Sequence, residues 1–319
     1  MTISVLIAAY NAGPFLHRAV RSALAQTLAP LEVLIINDAS TDNTLDVAEA
    51  LACEDPRVRV ISLPANGGPG AARNAGLDAA RGDWVAILDA DDAYVPTRLA
   101  MLKSACIGMT ADVVLDNFFF YDPGREATIT PAIPIGDTVD VVDVHSFAAH
   151  ARPYTGEADW ALLKPMFRRR FIEMNGLRYQ ESCRHGEDFI IMFQTLVVGA
   201  RCLLVRTPGY LYSPRSSGMS RITVNYPAMM EHMAALLRDP RISSDSDLSK
   251  LLEQCILTTK RLSANIKLDE IFDRRNWAEL AWTILTDMGA PPRGPLGGQR
   301  CASDGKAEDP HIDRFLNLG

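Results

Sequence analysis

The sequence predicts an α/β protein built on a doubly wound, mostly parallel sheet flanked by helices, with a C-terminal helical appendage. Three observations predict it. Short apolar runs alternate with helix-period stretches through the first hundred residues. The apolar runs end in polar turns rich in Asn, Asp and Gly. From about Pro227 the pattern becomes helical throughout.

The elements follow in order. Ser4 to Ala9 is apolar and β-rich, as expected of a strand covered on both faces. After the turn Tyr10-Asn11-Ala12-Gly13, Pro14 suits a helix's first position, and Phe15, Leu16, Ala19, Val20, Ala23 and Leu24 recur at helical spacing. Val33 to Ile36 is a second strand, broken by residues 37–42, and Leu45, Val47, Ala48 and Leu51 carry a second helix. Val58 to Leu63 is a third strand, and the turn Asn66-Gly67-Gly68-Pro69-Gly70 leads to a helix from about Ala71 to Ala80. Trp84 to Leu88 is the fourth strand. Right-handed crossovers would bring all these turns to one edge of the sheet.

Beyond Pro96 a helix (Leu99, Leu102, Ala105) and the run Val113 to Tyr121 extend the sheet, and Asp122 to Gly136 reads as a loop. Leu203 to Tyr212 is a further strand. Met229, Met230, Met233, Leu236 and Leu237 share one helical face, and Leu251, Leu252, Ile256 and Leu262 form another stripe. Arg274-Arg275-Asn276-Trp277 precedes the apolar residues Leu280 to Leu285. That stretch is expected to pack on the preceding domain, with an interfacial membrane helix as the alternative.

The chain has 319 residues and a net charge of −7, a balance that argues against a general nucleic-acid binder. Six cysteines are scattered without a C-x-x-C, so they read as buried small hydrophobes of a reducing cytoplasm. Met1 leads directly into an apolar strand, so no signal peptide is expected. No apolar run approaches the ~18–20 residues of a membrane span, and a soluble or peripheral protein is expected.

Chemistry concentrates where the fourth strand ends. Ala86-Ile87-Leu88-Asp89-Ala90-Asp91-Asp92 crowds three carboxylates into four residues. In open parallel sheets ligands gather beyond the carboxyl ends of strands, and crowded carboxylates repel unless a cation lies between them. Asp89 and Asp91 form a D-x-D suited to Mg²⁺ or Mn²⁺ shared with substrate phosphates. An acidic surface turn is the bland alternative. The Gly-rich turn does not make a dinucleotide fingerprint, because it lacks a third small residue in place and follows the third strand.

Four blocks then resemble the family 2 glycosyltransferases of the GT-A fold. They are Ala9-Tyr10-Asn11, Asn37-Asp38-Ala39-Ser40-Thr41-Asp42, Asn66-x-Gly68-x-x-x-Ala72-Arg73-Asn74-x-Gly76 and Gly82-Asp83-Trp84-x-x-x-Leu88-Asp89-x-Asp91-Asp92. Ala39 stands where many members have Gly, so that turn is expected to be less tight. Lys164-Pro165-x-Phe167 … Gly176-Leu177-x-Tyr179 … Gly186-Glu187-Asp188 continues the resemblance, as does the segment from Tyr212 to Arg221.

The resemblance implies transfer of a sugar from a UDP-sugar, glucose the first choice, with inversion and with a divalent cation, Mg²⁺ or Mn²⁺. Donor-binding residues would be Ala9, Tyr10, Asp38, Arg73, Asp89, Ala90, Asp91 and Arg215, with Asp91 on the metal. Asp38 would read the uracil N–H, Tyr10 would pack on the base, and Arg73 would fork to carbonyl or phosphate oxygens. Glu187 and Asp188 would supply the catalytic base, Asp188 by preference. Arg215, Ser217, Ser220 and Arg221 would touch the diphosphate, and Ser213 leaves that contact in question where relatives carry Arg.

The resemblance further implies a bacterial exopolysaccharide or succinoglycan-type enzyme with a lipid-linked saccharide acceptor, held as a peripheral protein at the cytoplasmic face of the membrane. The expected organisation is a nucleotide-sugar-binding half over residues 1–110, an acceptor-binding and catalytic half over 111–225, a helical region over 226–290 and a disordered tail over 291–319. Bland readings stand beside these roles: Tyr10 as a core aromatic, Asp38 and Asp42 as helix caps, Arg73 as a solvated charge, Glu187-Asp188 as favourable first-turn charges. The functional alternatives are a nucleotidyltransferase making a nucleotide sugar and a non-catalytic nucleotide-sugar-binding protein.

Overall fold

The computed structural model describes residues 1–107, 109–151, 159–214 and 226–273, with side chains to residue 264. Arg215, Ser217, Ser220 and Arg221, the stretch from Arg274 to Leu285, Cys301 and the tail over 291–319 lie outside the described residues.

Four apolar strands form the parallel part of the sheet: β1 (Ile3–Ala9), β2 (Glu32–Asn37), β3 (Val58–Ser62) and β4 (Trp84–Asp89). β2 is buried along its whole length, and β1 and β4 are buried at all but one position each. Strands covered on both faces need such continuous apolar runs. The crossovers are α1 (Gly13–Leu24), α2 (Thr44–Glu54) and α3 (Gly68–Ala79). The remaining strands are β5 (Ala93–Tyr94), β6 (Val113–Asp122), β7 (Ala127–Pro131), β8 (Val139–Val142), β9 (Met166–Arg168) and β10 (Cys202–Tyr212). The sheet runs β3, β2, β1, β4, β9, β6, β10, β5, with β7 on β6 and β8 on β10.

β9 pairs antiparallel with both β4 and β6, while β10 is parallel to β6. β6 and β10 therefore point the same way as β1 to β4, and all their carboxyl ends share one edge. Register brings Ala9 beside Asn37, Asn37 beside Ser62, and Ala8 beside Asp89. The turns of the four sequence blocks thus lie within about one residue of each other along that edge.

The motif around Arg73 explains itself in this packing. A Cβ on Gly76 would lie 2.4 Å from a Leu6 methyl, so α3 sits directly on β1. Asn74 donates to the Tyr179 carbonyl (3.0 Å) and accepts from the Tyr179 N–H (2.9 Å), pinning the later segment to α3. Arg73 is then turned inward at the sheet edge. It is buried, where a solvated charge was the bland expectation.

Three expectations need correction. The stretch from Asp122 to Gly136 is not loop throughout, since β7 pairs with β6 there as a hairpin. Its residues are mostly exposed, so no apolar run marked it. The buried stripe of the long last helix is Leu248, Leu252, Cys255 and Thr259, with Leu251 and Ile256 on its shoulders. A polar Thr and a Cys at helical spacing concealed the true face. Of the five described cysteines only Cys183, Cys202 and Cys255 are buried, and Cys53 is exposed.

Helices α4 (Arg98–Ala105), α5 (Val144–His150), α6 (Arg169–Met174) and α7 (Glu187–Val197) complete the domain. The appendage comprises α8 (Tyr226–Leu236), α9 (Pro240–Ser243) and α10 (Ser246–Asp273). It packs through α8 on α7 and through α10 on α5. Met229 and Met233 are its buried anchors on α8.

Candidate active site

The turns after β1 and β2 are tied to each other. Asn11 Oδ1 accepts from the Thr41 N–H (2.8 Å), Ser40 Oγ accepts from the Asn11 N–H (3.1 Å), and the Asp38 N–H donates to Ala9 O (2.9 Å). Asp42 accepts from the N–H of Thr44 and of Gly13 and so ties the starts of α2 and α1 together, but the N-cap of α2 is Asn43, not Asp42. Ala39 holds φ +53°. The turn therefore keeps the left-handed geometry a glycine would give it, contrary to the looser turn expected. Left-handed backbone costs a residue with a Cβ about 1–2 kcal/mol. Ala39→Gly is expected to raise stability by about 1 kcal/mol after the entropy glycine adds to the unfolded chain, read as a higher midpoint in urea.

Asp38 is 2% exposed and does not act as a helix cap. Its two oxygens accept from the N–H groups of Gly67 and Gly68, each at 2.8 Å, so it shapes the Gly-rich turn. Burial pushes its carboxyl up despite those bonds. Each oxygen keeps a second lone pair for a ligand donor. Tyr10 is half-buried at the end of β1, not in the core.

Five charged side chains meet beyond β4. Arg73, from α3, donates to Glu187 Oε1 (2.5 Å) and Asp89 Oδ1 (2.8 Å) and lies 3.1 Å from Asp188 Oδ1. Lys164 Nζ donates to Asp188 Oδ2 (2.7 Å) and lies 2.9 Å from Asp89 Oδ2. Two cations thus serve three carboxylates from two separate elements. Burial raises the Asp89 carboxyl, but Lys164 and Arg73 outweigh it and hold it well below the usual range. Glu187 is pushed up by burial and by Asp188, with Arg73 opposing.

Glu187 and Asp188 open α7, where acidic side chains face the helix's partial positive charge. Gly186 precedes them at φ +79°, and a Cβ there would lie 2.2 Å from Met229 Sδ. Gly186→Ala is expected to lower stability by at least about 1–2 kcal/mol through backbone strain alone, with Met229 displaced in addition. Thermal unfolding of the variant checks it.

The rest of the D-x-D turn is bound to the end of β10. The Tyr210 hydroxyl accepts from the Asp89 N–H (3.1 Å) and donates to Asp92 (2.7 Å), whose other oxygen accepts from the Ser213 N–H (2.7 Å). Arg18, from α1, donates to the Asp91 carbonyl and to Ser213 Oγ (2.8 Å). Ser213 is thereby an anchor of the turn. Ala90 is buried between the two acids.

Among the described residues, no three His, Cys, Asp or Glu side chains converge as a metal cage. Asp89 is engaged by Arg73 and Lys164, and Asp92 by Tyr210 and Ser213. A carboxylate of this turn acting together with substrate phosphates is a common mode of holding Mg²⁺.

Sequence reasoning attached no role to Lys164, Arg18 or Tyr210. Lys164 and Tyr210 lie within stretches the sequence did mark, but only tertiary contact shows what they touch. Asp89 was expected to bind the donor; here its carboxylate is shared between Arg73 and Lys164.

An open sheet whose turns and a second acidic element gather at one edge is the architecture of the GT-A fold. Staphylococcus aureus TarS residues 1–349, solved with UDP-GlcNAc, superimpose with a TM-score of 0.64 at 21% identity, over 79% of this chain and 72% of that one. More particularly, the chain belongs to glycosyl transferase family 2, whose sequence model matches residues 4–181. It is 33% identical to the succinoglycan biosynthesis protein ExoO of Rhizobium meliloti (strain 1021), over 89% of this chain and 81% of the relative. It is 34% identical to ExoU of the same organism, also a succinoglycan biosynthesis protein, over 77% and 72%.

Proposed function

We propose that the protein transfers a hexose, glucose by first choice, from a UDP-sugar to a saccharide acceptor with inversion, the acceptor being a lipid-linked oligosaccharide of exopolysaccharide synthesis. The observation that carries this reading is the meeting of Asp89, at the end of β4, with Glu187 and Asp188, at the start of α7, through Arg73 and Lys164. It sets a donor-side carboxylate and a candidate base at one edge. The succinoglycan relatives support the acceptor class. No helix among the described residues is long and apolar enough to cross a membrane, and a lipid-linked acceptor would hold the enzyme at the inner membrane face as a peripheral protein.

Uracil would lie against Tyr10 and Asp38, beside Ala9. Asp188 takes the proton of an acceptor hydroxyl as its oxygen bonds to the anomeric carbon. The bond from that carbon to the diphosphate breaks, and its electron pair leaves with UDP. A Mg²⁺ or Mn²⁺ ion held by Asp91 supplies neutralisation of diphosphate charge when bound.

Incubation with a panel of nucleotide sugars and a membrane extract tests the reading by mass-resolved product analysis. A hexose added from a UDP-sugar is expected, and transfer from other nucleotide sugars alone overturns the donor assignment. Asp38→Ala is expected to weaken UDP binding by roughly 1–3 kcal/mol, the scale of leaving buried polar partners unpaired. Calorimetry giving unchanged UDP affinity in the folded variant removes Asp38 from the donor site.

A further inference from the structure

We propose that Lys164 is a positioning residue for transfer: it clamps the Asp188 carboxylate to Asp89, fixing the acceptor-activating group against the donor edge. The inference rests on the reading of Asp188 as the base.

The backbone around Lys164 is held from two sides. Its carbonyl accepts from Arg98 Nη2 (2.7 Å), and the Pro165 carbonyl accepts from the Ile87 N–H of β4 (3.1 Å). β9 then begins at Met166, inserted between β4 and β6. The lysine is therefore delivered from the sheet itself, beside the strand that ends in Asp89. Its side chain is 5% exposed, so the ammonium has almost no water, and its contacts with Asp188 (2.7 Å) and Asp89 (2.9 Å) replace that water.

Lys164 joins elements that share no covalent route near the site. Asp89 lies at residue 89 on β4 and Asp188 ninety-nine positions later on α7 (188 − 89). Arg73 spans the same gap, but its closest bond is to Glu187 at 2.5 Å, and its contact with Asp188 is longer, at 3.1 Å. Without Lys164, Arg73 alone would face Asp89, Glu187 and Asp188. Their repulsion would favour turning the Asp188 carboxylate away from Asp89. The charged and titratable groups facing Asp188 are Lys164 ahead of β9, Arg73 of α3 and Glu187 of α7, with His185 and the Tyr179 hydroxyl from the segment before α7 and Asp89 through the shared cations.

The test uses the full chain with Lys164→Met, Lys164→Arg, Asp188→Asn and the Lys164→Met/Asp188→Asn double variant. Turnover is read as kcat and KM separately, UDP affinity by calorimetry, and folding by thermal melting. Lys164→Met is expected to lower kcat on the order of 10–100-fold, the scale of a misplaced reacting group. UDP affinity should change less than about threefold, and Lys164→Met should add almost nothing to Asp188→Asn, because the two act as a unit.

Lys164→Arg keeps the charge but not the reach, so it should lower kcat while leaving UDP affinity in place. It therefore decides the matter if Lys164→Met does not fold: wild-type kcat in Lys164→Arg overturns the proposal. So does a folded Lys164→Met with wild-type kcat, or one that loses UDP affinity and keeps kcat. If Asp188→Asn retains turnover, the base assignment falls, and the clamp to the base falls with it. If Asp188→Asn is inactive while Lys164→Met is unimpaired, only the clamp falls.

Discussion

Asp188→Asn is expected to lower kcat on the order of 10²–10⁴-fold, the usual scale for loss of a general base. Asparagine keeps the size and shape of the side chain, but its amide cannot take a proton. Glu187 and Asp188 are adjacent on α7, so their side chains point about 100° apart. Glu187 Oε1 is bonded to Arg73 at 2.5 Å, and Asp188 stands between Lys164 and Arg73. Glu187→Gln keeps an oxygen that can accept from Arg73, and is expected to cost far less turnover. Donor affinity should hardly change in Asp188→Asn, because the proposed UDP contacts belong to other turns. Turnover and UDP binding measured in both variants decide the roles: a dead Glu187→Gln with an active Asp188→Asn reverses them, and two active variants move the base elsewhere.

The second large effect is on stability. Asp116→Ala is expected to cost about 3–5 kcal/mol, the scale for breaking a buried pair and stranding its partner. Arg98 and Asp116 are both fully buried, and the guanidinium donates from Nε to Oδ2 (2.9 Å) and from Nη2 to Oδ1 (2.7 Å). Arg98 also lies over the Tyr94 ring at 4.2 Å and holds the Lys164 carbonyl. At about 2–4 °C per kcal/mol for a domain of this size, a fall in Tm of roughly 10 °C follows. Arg98→Met combined with Asp116→Leu should recover part of the loss, since no charge is then stranded. Asp116→Ala melting within about 2 °C of the parent would mean that the pair contributes little.

The first half of the fold was legible because the parallel strands are buried on both faces. Ile3–Ala9, Glu32–Asn37 and Trp84–Asp89 read as nearly unbroken apolar runs, and the turns between them carry Asn, Asp and Gly. Short or exposed strands escaped for the opposite reason. β9 is three residues long, β5 two, and β7 is mostly exposed, so none offers enough apolar periodicity to detect.

The same division applies to the site. The sequence by itself determined which carboxylates cluster, because Asp89-Ala90-Asp91-Asp92 and Glu187-Asp188 are neighbours along the chain. It also determined the family, through blocks at fixed spacing. Only the tertiary structure decided that these clusters face each other, that Arg73 is buried between them and that Lys164 joins them. The physical reason is that spacing along a chain encodes local conformation. Pairing Lys164 with Asp89, 75 residues earlier (164 − 89), depends on the insertion of β9 between β4 and β6, and no local pattern records it.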